Sequence, residues 1–131
     1  MEAKYDLGKD GVFTKFTILI GCFYHGEGMI DDIKNVTAIP DLNRKGFQNV
    51  NLVMYEDEFI DQLKTADQAW IISGNEWHRG SESMFVELTR LFVNSGKGLM
   101  IYADNDPFFL HATKVLKGFT VGRYEEKPIN I

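Results

Sequence analysis

Two histidines and a carboxylate follow apolar segments of this sequence and could together perform acid–base chemistry. His25 comes shortly after the apolar residues 16–23, and His78 comes shortly after residues 69–73. Imidazole titrates near neutral pH, so a histidine beside a carboxylate can accept or donate a proton during a reaction. Asp104, which follows a further apolar segment, is the candidate carboxylate. One hypothesis is therefore a small hydrolase or isomerase with His25, His78 and Asp104 as its catalytic residues.

The residues around these histidines also suit a binding site. Trp77 stands among polar neighbours in the sequence Asn-Glu-Trp-His-Arg, which we expect to form a loop. An aromatic ring in such a loop often anchors a ligand or a partner chain, and we expect it to make few contacts with the core. The predicted ligand-binding residues are Tyr24, Asn75, Glu76, Trp77 and Asn105.

The sequence contains no spaced motif for a metal or another cofactor, and we expect none. The alternative is a zinc or iron ion that assists the hydrolase or isomerase and is held by both histidines and a carboxylate, because imidazole and carboxylate ligands suit these metals. That carboxylate would come from Glu27, Glu76 or Asp104. Cys22 is the only cysteine, so it cannot form an internal disulfide. It ends an apolar segment, where a free cysteine usually behaves as a small buried hydrophobic residue.

Four apolar segments have the length and composition of strands that are covered on both faces. They are residues 16–23, 50–55, 69–73 and 99–103. Continuous apolar runs of this length are typical of parallel sheets, on which helices pack from both sides. Amphipathic segments alternate with them. The sequence therefore predicts an α/β fold, a three-layer α/β/α sandwich around a flavodoxin-like, mostly parallel sheet.

Three amphipathic segments predict helices, over residues 57–66, 81–94 and 106–117. Each begins at a residue type that can cap a helix, namely Asp57, Ser81 or Ser83, and Asp106. The predicted buried stripe of the second helix is Met84, Phe85, Leu88, Leu91 and Phe92, and that of the third is Phe108, Phe109, Ala112, Val115 and Leu116. Pro107 suits the first position of the third helix. His111 lies outside the stripe and is expected to be solvated.

The remaining segments carry weaker patterns. Residues 24–49 suggest a helix that Thr37 and Pro40 interrupt, and residues 119–121 suit an additional strand. We expect a single domain over residues 1–131, with residues 1–15 as a lead-in and residues 122–131 as a tail.

Composition excludes several classes of partner. The chain has 131 residues, 44% of them hydrophobic, and a formal net charge of −5. Nucleic acids and anionic membranes reward a clustered basic surface, so neither is an expected partner. No apolar run approaches the ~20 residues that cross a bilayer, and the N-terminus lacks a hydrophobic signal segment. These features predict a cytoplasmic protein.

Residues 92–104 combine a helix end, a glycine turn, an apolar strand and a tight turn, and residues 66–73 precede them with another apolar strand. These two segments resemble the class I glutamine amidotransferase-like fold, especially its trehalose-utilisation-protein-like branch. The resemblance extends over about residues 50–117. The resemblance implies, for active members, a cysteine between glycines at the turn after the strand, with a histidine partner. This turn reads Ala-Asp-Asn-Asp and no His-x-Glu follows it, so we expect no glutaminase activity.

In open α/β sheets, ligands bind at the carboxyl ends of the strands, near the point where strand order reverses. Residues 24–28, 75–79 and 104–106 are expected to converge there. We therefore predict a non-glutaminase amidotransferase-like binding or interaction domain, whose partner is a small molecule or a protein. The hydrolase or isomerase is the first alternative. The second is a structural assembly domain that dimerises through an exposed helix, so that a second copy of the chain (a homodimer or other homo-oligomer) is its partner.

Overall fold

The fold is built on a four-stranded parallel sheet. The computed structural model describes residues 13–103 and 107–120, and its strands are β1 (Thr17–Cys22), β2 (Asn49–Val53), β3 (Gln68–Ile72) and β4 (Gly98–Tyr102). Every pairing among these strands is parallel, and their order is β2-β1-β3-β4. This is a flavodoxin-like arrangement, so the predicted α/β fold class is confirmed.

Burial along the strands follows their place in the sheet. Ile18, Leu19, Ile20 and Cys22 of the inner strand β1 are at most 1% exposed. Ile18 and Ile20 belong to one hydrophobic cluster and Leu19 to another, because successive side chains of a strand point to opposite faces. The continuous apolar run of β1 therefore indicates a strand covered on both faces, as predicted. The same prediction is wrong for the outer strands, because exposed and partly buried residues alternate along β4 and along most of β2.

Helices contribute to both clusters. They are α1 (Met29–Asn35), α2 (Ala38–Arg44), α3 (Glu56–Gln62) with a following 3₁₀ turn (Leu63–Thr65), α4 (Glu82–Asn94) and α5 (Leu110–Thr120). Phe59 of α3, Phe85 of α4 and Val115 of α5 join the cluster that contains Leu19. Ile33 of α1 and Leu42 of α2 join the cluster that contains Ile18 and Ile20. The chain thus packs helices against both faces of the sheet.

Residues 24–49 form two short helices, with a break where Thr37 predicted one. The Thr37 hydroxyl and backbone N–H both donate to the carbonyl of Asp32, at 3.1 and 2.8 Å, and end α1. The predicted interruption at Pro40 is wrong. Pro40 lies in the first turn of α2, where the backbone N–H groups have no helical partner and proline therefore costs no hydrogen bond.

The predicted helix boundaries are correct at α4 and shifted elsewhere. Ser81 Oγ accepts the N–H of Met84 at 3.2 Å, and the helix ends before Gly96, which has a left-handed φ of 93°. Tyr55, not Asp57, occupies the N-cap position of α3. Pro107 lies in a turn before α5, and Asp106 lies outside the described residues. Phe119 and Thr120 are helical, so the predicted additional strand is wrong for these two residues; Val121 lies outside the described residues.

Both long helices bury a stripe offset from the predicted one. In α4, Thr89 is buried together with Phe85 and Phe92, while Met84 and Leu91 are 52% and 48% exposed. In α5, His111 is buried with Ala112 and Val115, while Leu116 is exposed, as is Phe109 in the turn before the helix. Each true stripe includes a polar residue, so a search for apolar residues alone places its centre about one residue away.

Candidate functional site

The loops after β1, β2 and β3 meet beside the start of α5, at the end of the sheet where its parallel strands terminate. This end is called the carboxyl edge. His25 follows β1, Tyr55 and Glu56 follow β2, His78 follows β3, and His111 lies in the first turn of α5. Strand order reverses between β1 and β3, which is where open α/β sheets bind their ligands.

Glu56 is a buried carboxylate at the centre of this edge. Its side chain is 1% exposed, and its Oε2 lies 2.7 Å from His111 Nε2 and 2.9 Å from His78 Nδ1. Oε1 accepts the backbone N–H groups of Arg79 and His78 at 3.0 and 3.2 Å. Burial acts to raise the pKa of Glu56, but the hydrogen bonds from His111, His78 and the backbone outweigh it and lower the pKa to about 2. Glu56 is therefore an ionised carboxylate with four N–H donors.

The backbone fixes the tautomer of His111. The N–H of Gly74 donates to His111 Nδ1 at 3.1 Å, and a backbone N–H can only donate. Nδ1 therefore holds a lone pair, and Nε2 carries the proton that His111 donates to Glu56. The ring is fully buried and stacks on Phe23 and Trp77, with centroid distances of 4.5 and 5.4 Å. The expectation that His111 is solvated is wrong.

Glu56, His78 and His111, here called the Glu56 cluster, are side-chain types that also bind metals, and their ligand atoms lie within 4.8 Å of one another. The hydrogen bonding does not suit a metal. The 2.7 Å separation of Glu56 Oε2 and His111 Nε2 is that of a hydrogen bond. A metal on Nε2 would move the ring proton to Nδ1, where it would meet the N–H of Gly74. The geometry is that of a hydrogen-bonded triad.

His78 and His25 form the solvent-facing end of the site. His78 Nδ1 donates a hydrogen bond to Glu56, and His78 Nε2 lies 4.0 Å from the exposed Glu76 carboxylate. The His25 ring stacks on His78, with a centroid distance of 4.2 Å and an interplanar angle of 24°. His25 Nε2 donates to the carbonyl of Met54 at 2.7 Å. Each ring is therefore held through one nitrogen, and the second nitrogen has no recorded hydrogen bond within the described part of the chain.

Tyr55 and Arg79 flank the two histidines. The Tyr55 ring stands edge-on to His25 and His78, with centroid distances of 5.5 and 6.0 Å. The Arg79 guanidinium lies 3.7 Å from the centre of the Tyr55 ring. Among residues 13–103 and 107–120, the structure records no ion pair for Arg79. This side of the site thus combines an aromatic ring with a positive charge that has no ion-pair partner in the part of the chain that the structure describes.

The other predicted site residues are placed less uniformly. Asn75 and Glu76 are exposed in the loop that carries His78. Tyr24 is 8% exposed and packs on Phe108 in the cluster that contains Ile18 and Ile20, so its ring contributes to the core. Asp104 and Asn105 lie outside the described residues.

The Trp77 ring is partly buried and packs against the hydrophobic cluster that contains Leu19. Its ring stands edge-on to Phe85 at a centroid distance of 5.1 Å and stacks on His111, and its Nε1 donates to the carbonyl of Gly80 at 2.9 Å. The expectation that Trp77 makes few core contacts is wrong, because its loop folds back onto α4 and α5. Its role as a ligand anchor stays a prediction.

Sequence reasoning missed Glu56. It is the first of three consecutive acidic residues, Glu56-Asp57-Glu58, and acidic residues favour a helix N-terminus through the helix dipole. The signal that could have identified it is its position directly after β2, at the sheet edge where His25 and His78 were already expected.

Comparisons with known proteins assign no family to this chain. No protein-family model, no curated protein and no solved structure matches it. No helix among the described residues is long and apolar enough to span a membrane.

Proposed function

We propose that this domain binds a small polar ligand at the carboxyl edge of its sheet, beside His25 and His78. The observation that supports the proposal most is the stacked histidine pair, in which Met54 and Glu56 each hold one ring nitrogen. The second nitrogen of each ring remains for a ligand. Groups held in position before binding lose little freedom when the ligand arrives, which favours affinity.

The flanking groups favour an acidic ligand. Guanidinium and protonated imidazole groups recognise carboxylates and phosphates through charge-assisted hydrogen bonds. Arg79 supplies such a group without a carboxylate partner among the described residues, and the Tyr55 ring beneath it offers apolar contact. Glu76 opposes an anion near His78, but its side chain is 72% exposed and can turn into solvent.

The pairing of Glu56 with His78 supports a second candidate, an acid–base enzyme such as a small hydrolase or isomerase. A carboxylate bonded to Nδ1 orients the ring and stabilises the imidazolium that forms when Nε2 accepts a proton. No serine, threonine or cysteine side chain has a recorded hydrogen bond to His78 within the described residues. In this candidate, His78 therefore acts on water or directly on the substrate.

The amidotransferase-like assignment remains a proposal, and it concerns a non-glutaminase. Cys22 is fully buried and its thiol donates to the carbonyl of Tyr24 at 3.2 Å. Burial raises the pKa of Cys22 to about 11. The thiol is thus protonated at neutral pH and is not a nucleophile.

Nitrogen-15 resonances of the histidine rings test ligand binding. Phosphate, succinate and glucose are added separately to the labelled protein. We expect phosphate or succinate to shift the resonances of His25 Nδ1 and His78 Nε2, and glucose to leave them unchanged. His78→Ala should weaken binding about tenfold or more, equivalent to ~1.4 kcal/mol.

Lys64→Ala, at an exposed side chain on the 3₁₀ turn, is the matched control and should bind normally. If none of the three compounds shifts either ring, or if His78→Ala binds as tightly as the wild type, the ligand-binding proposal fails. A compound that is converted to a new species only when His78 is intact would favour the acid–base candidate.

A further inference from the structure

The two outer strands of the sheet differ in how their free edges are protected. Strands at sheet edges usually carry charges, prolines or a cover that prevents pairing with other chains. β2 exposes Asn49 and Asn51, and Asn49 Nδ2 donates to the carbonyl of Thr14, which places the preceding segment beside this strand. β4 has the sequence Gly-Leu-Met-Ile-Tyr, without a charge or a proline, and no described strand pairs with its outer side.

The backbone direction of β4 identifies which groups face outward. The carbonyl of Tyr102 accepts the N–H of Ser73, so the backbone groups of Tyr102 point toward β3. Backbone groups alternate in direction along a strand, so those of Gly98 and Met100 also point toward β3. The N–H and C=O groups of Leu99 and Ile101 therefore point to the outer edge, where the described residues give them no partner.

An apolar surface adjoins this edge. Met100 and Tyr102 are 40% and 42% exposed, and Trp70 and Ile72 of β3 lie on the same face of the sheet. With Tyr102, these two β3 residues line a cleft of about 500 Å³ beside α2. Contiguous exposed apolar surface of this kind marks interaction sites.

We propose that β4 pairs with β4 of a second copy of this chain, in an antiparallel arrangement whose two-fold axis passes beside Met100. Leu99 of one copy then faces Ile101 of the other. Because both residues present their backbone groups outward, each such pair exchanges two N–H···O=C hydrogen bonds. The two sheets become one continuous sheet, and both free β4 edges disappear.

This register favours a second copy because the strand is complementary to itself. Gly98, which has no side chain, lies opposite Tyr102, and Leu99 lies opposite Ile101. Shifting the axis to Leu99 would place Lys97 opposite Ile101, whereas Lys97 already donates to the carbonyl of Ala66 at 3.0 Å. The same patch on both copies forms a closed two-fold dimer, in which each copy uses its β4 edge.

Sedimentation equilibrium of the full chain tests the dimer. We expect the wild type to be dimeric and Met100→Lys to raise the dimer dissociation constant at least tenfold, because two lysines would meet at the axis. Met100→Leu should keep the dimer. Met84→Lys is the matched control, since Met84 is 52% exposed on α4, and it should leave the dissociation constant unchanged.

Amide hydrogen exchange gives a second measurement that needs no variant. In the wild type, protection of the Leu99 and Ile101 amides should rise with protein concentration, and that of the β1 amides should not. This result decides the proposal if Met100→Lys fails to fold. A monomeric wild type, a dimer that Met100→Lys leaves intact, or exchange at Leu99 and Ile101 that is independent of concentration overturns it.

Discussion

Glu56 is an ionised carboxylate buried beside apolar residues, and its four N–H donors explain why the fold tolerates a charge at this position. An ionised carboxylate without partners would carry a large desolvation cost, whereas hydrogen bonds to each oxygen offset that cost. Two of the donors are backbone groups of the loop that holds His78. The carboxylate therefore orients both the His78 ring and the loop that carries it.

Trp77 provides a prediction at the residue scale. Trp77→Ala should lower the free energy of unfolding by about 2 kcal/mol, because it removes a half-buried ring from His111 and Phe85 together with the bond to Gly80. Urea denaturation measures the change. Phe109→Ala, at a ring that is 41% exposed, should cost clearly less. Equal costs for the two variants would show that Trp77 does not support the core.

Sequence identified the histidines of the site more easily than the residues that hold them. His25 and His78 stand out because they are a rare, titratable type at the ends of apolar segments. Glu56 and His111 can be recognised as site residues only as a pair, because they are 55 residues apart in the sequence and each is the hydrogen-bond partner of the other. A buried polar residue is indistinguishable from a solvated one until its distant partner is known.

At the scale of elements, the start of α5 is hydrogen-bonded to Ser73 and Gly74, the two residues that directly follow β3. Ser73 Oγ accepts the N–H groups of His111 and Ala112 at 3.1 and 3.2 Å, and the carbonyl of Gly74 accepts the N–H of Leu110 at 3.1 Å. Gly74 can have no side chain, because a Cβ there would lie 2.1 Å from the carbonyl oxygen of Phe23. The two residues directly after β3 thus cap α5 by accepting its first backbone N–H groups.

Removal of this cap should be costly. Ser73→Ala leaves two buried N–H groups of α5 without their acceptor and should lower the free energy of unfolding by about 1–2 kcal/mol. Denaturation measures the loss, and faster amide exchange at His111 and Ala112 locates it. Ser83→Ala, an exposed serine in the first turn of α4, is the control and should change stability little. Unchanged exchange at both α5 amides would rule out Ser73 as the cap.

The strands were predictable because each lies in a short, largely apolar segment, whereas the buried faces of the helices were harder to predict. An apolar run needs no knowledge of its neighbours to indicate a buried strand, as β1 illustrates. The face that a helix buries depends on what lies opposite it. His111 faces inward because its ring forms hydrogen bonds with Glu56 and with the backbone of Gly74. Both partners belong to other segments of the chain, so the sequence of α5 alone does not indicate them.

At the scale of the whole molecule, the position of the site follows from topology. The order β2-β1-β3-β4 reverses the direction of chain progression between β1 and β3. The helices that follow these two strands therefore lie on opposite faces of the sheet, which leaves room at the carboxyl edge. His25 and His78 come shortly after β1 and β3, which are neighbours in the sheet, and this explains why residues 53 positions apart stack on each other.

The stability of the domain should fall in acid because of Glu56. Its pKa is lowered from 4.5 to about 2 in the folded state. The unfolded chain therefore binds the proton first, so the stabilisation is complete above about pH 4.5 and is lost as the pH falls toward 2. The full loss is roughly 3 kcal/mol.

Denaturation of the wild type and Glu56→Gln between neutral pH and about pH 2 measures this contribution. Glu56→Gln should be less stable at neutral pH and should lose less stability in acid, because it lacks the titrating group. Glu58→Gln, an exposed change on the same helix, should keep the wild-type pH dependence. The assignment fails if wild type and Glu56→Gln depend on pH identically.

The spread of the Glu56 cluster along the chain has a consequence for folding cooperativity. The histidines that donate to Glu56 lie 22 and 55 residues away in the sequence. Folding of α3 alone therefore provides neither of these hydrogen bonds. A chain in which α5 has not docked leaves an ionised carboxylate facing apolar residues with part of its hydrogen bonds missing. Partly assembled forms are thereby disfavoured relative to both the complete fold and the unfolded chain, in which water solvates the carboxylate. The buried charge that orients the His78 ring therefore also favours folding of the domain as one unit.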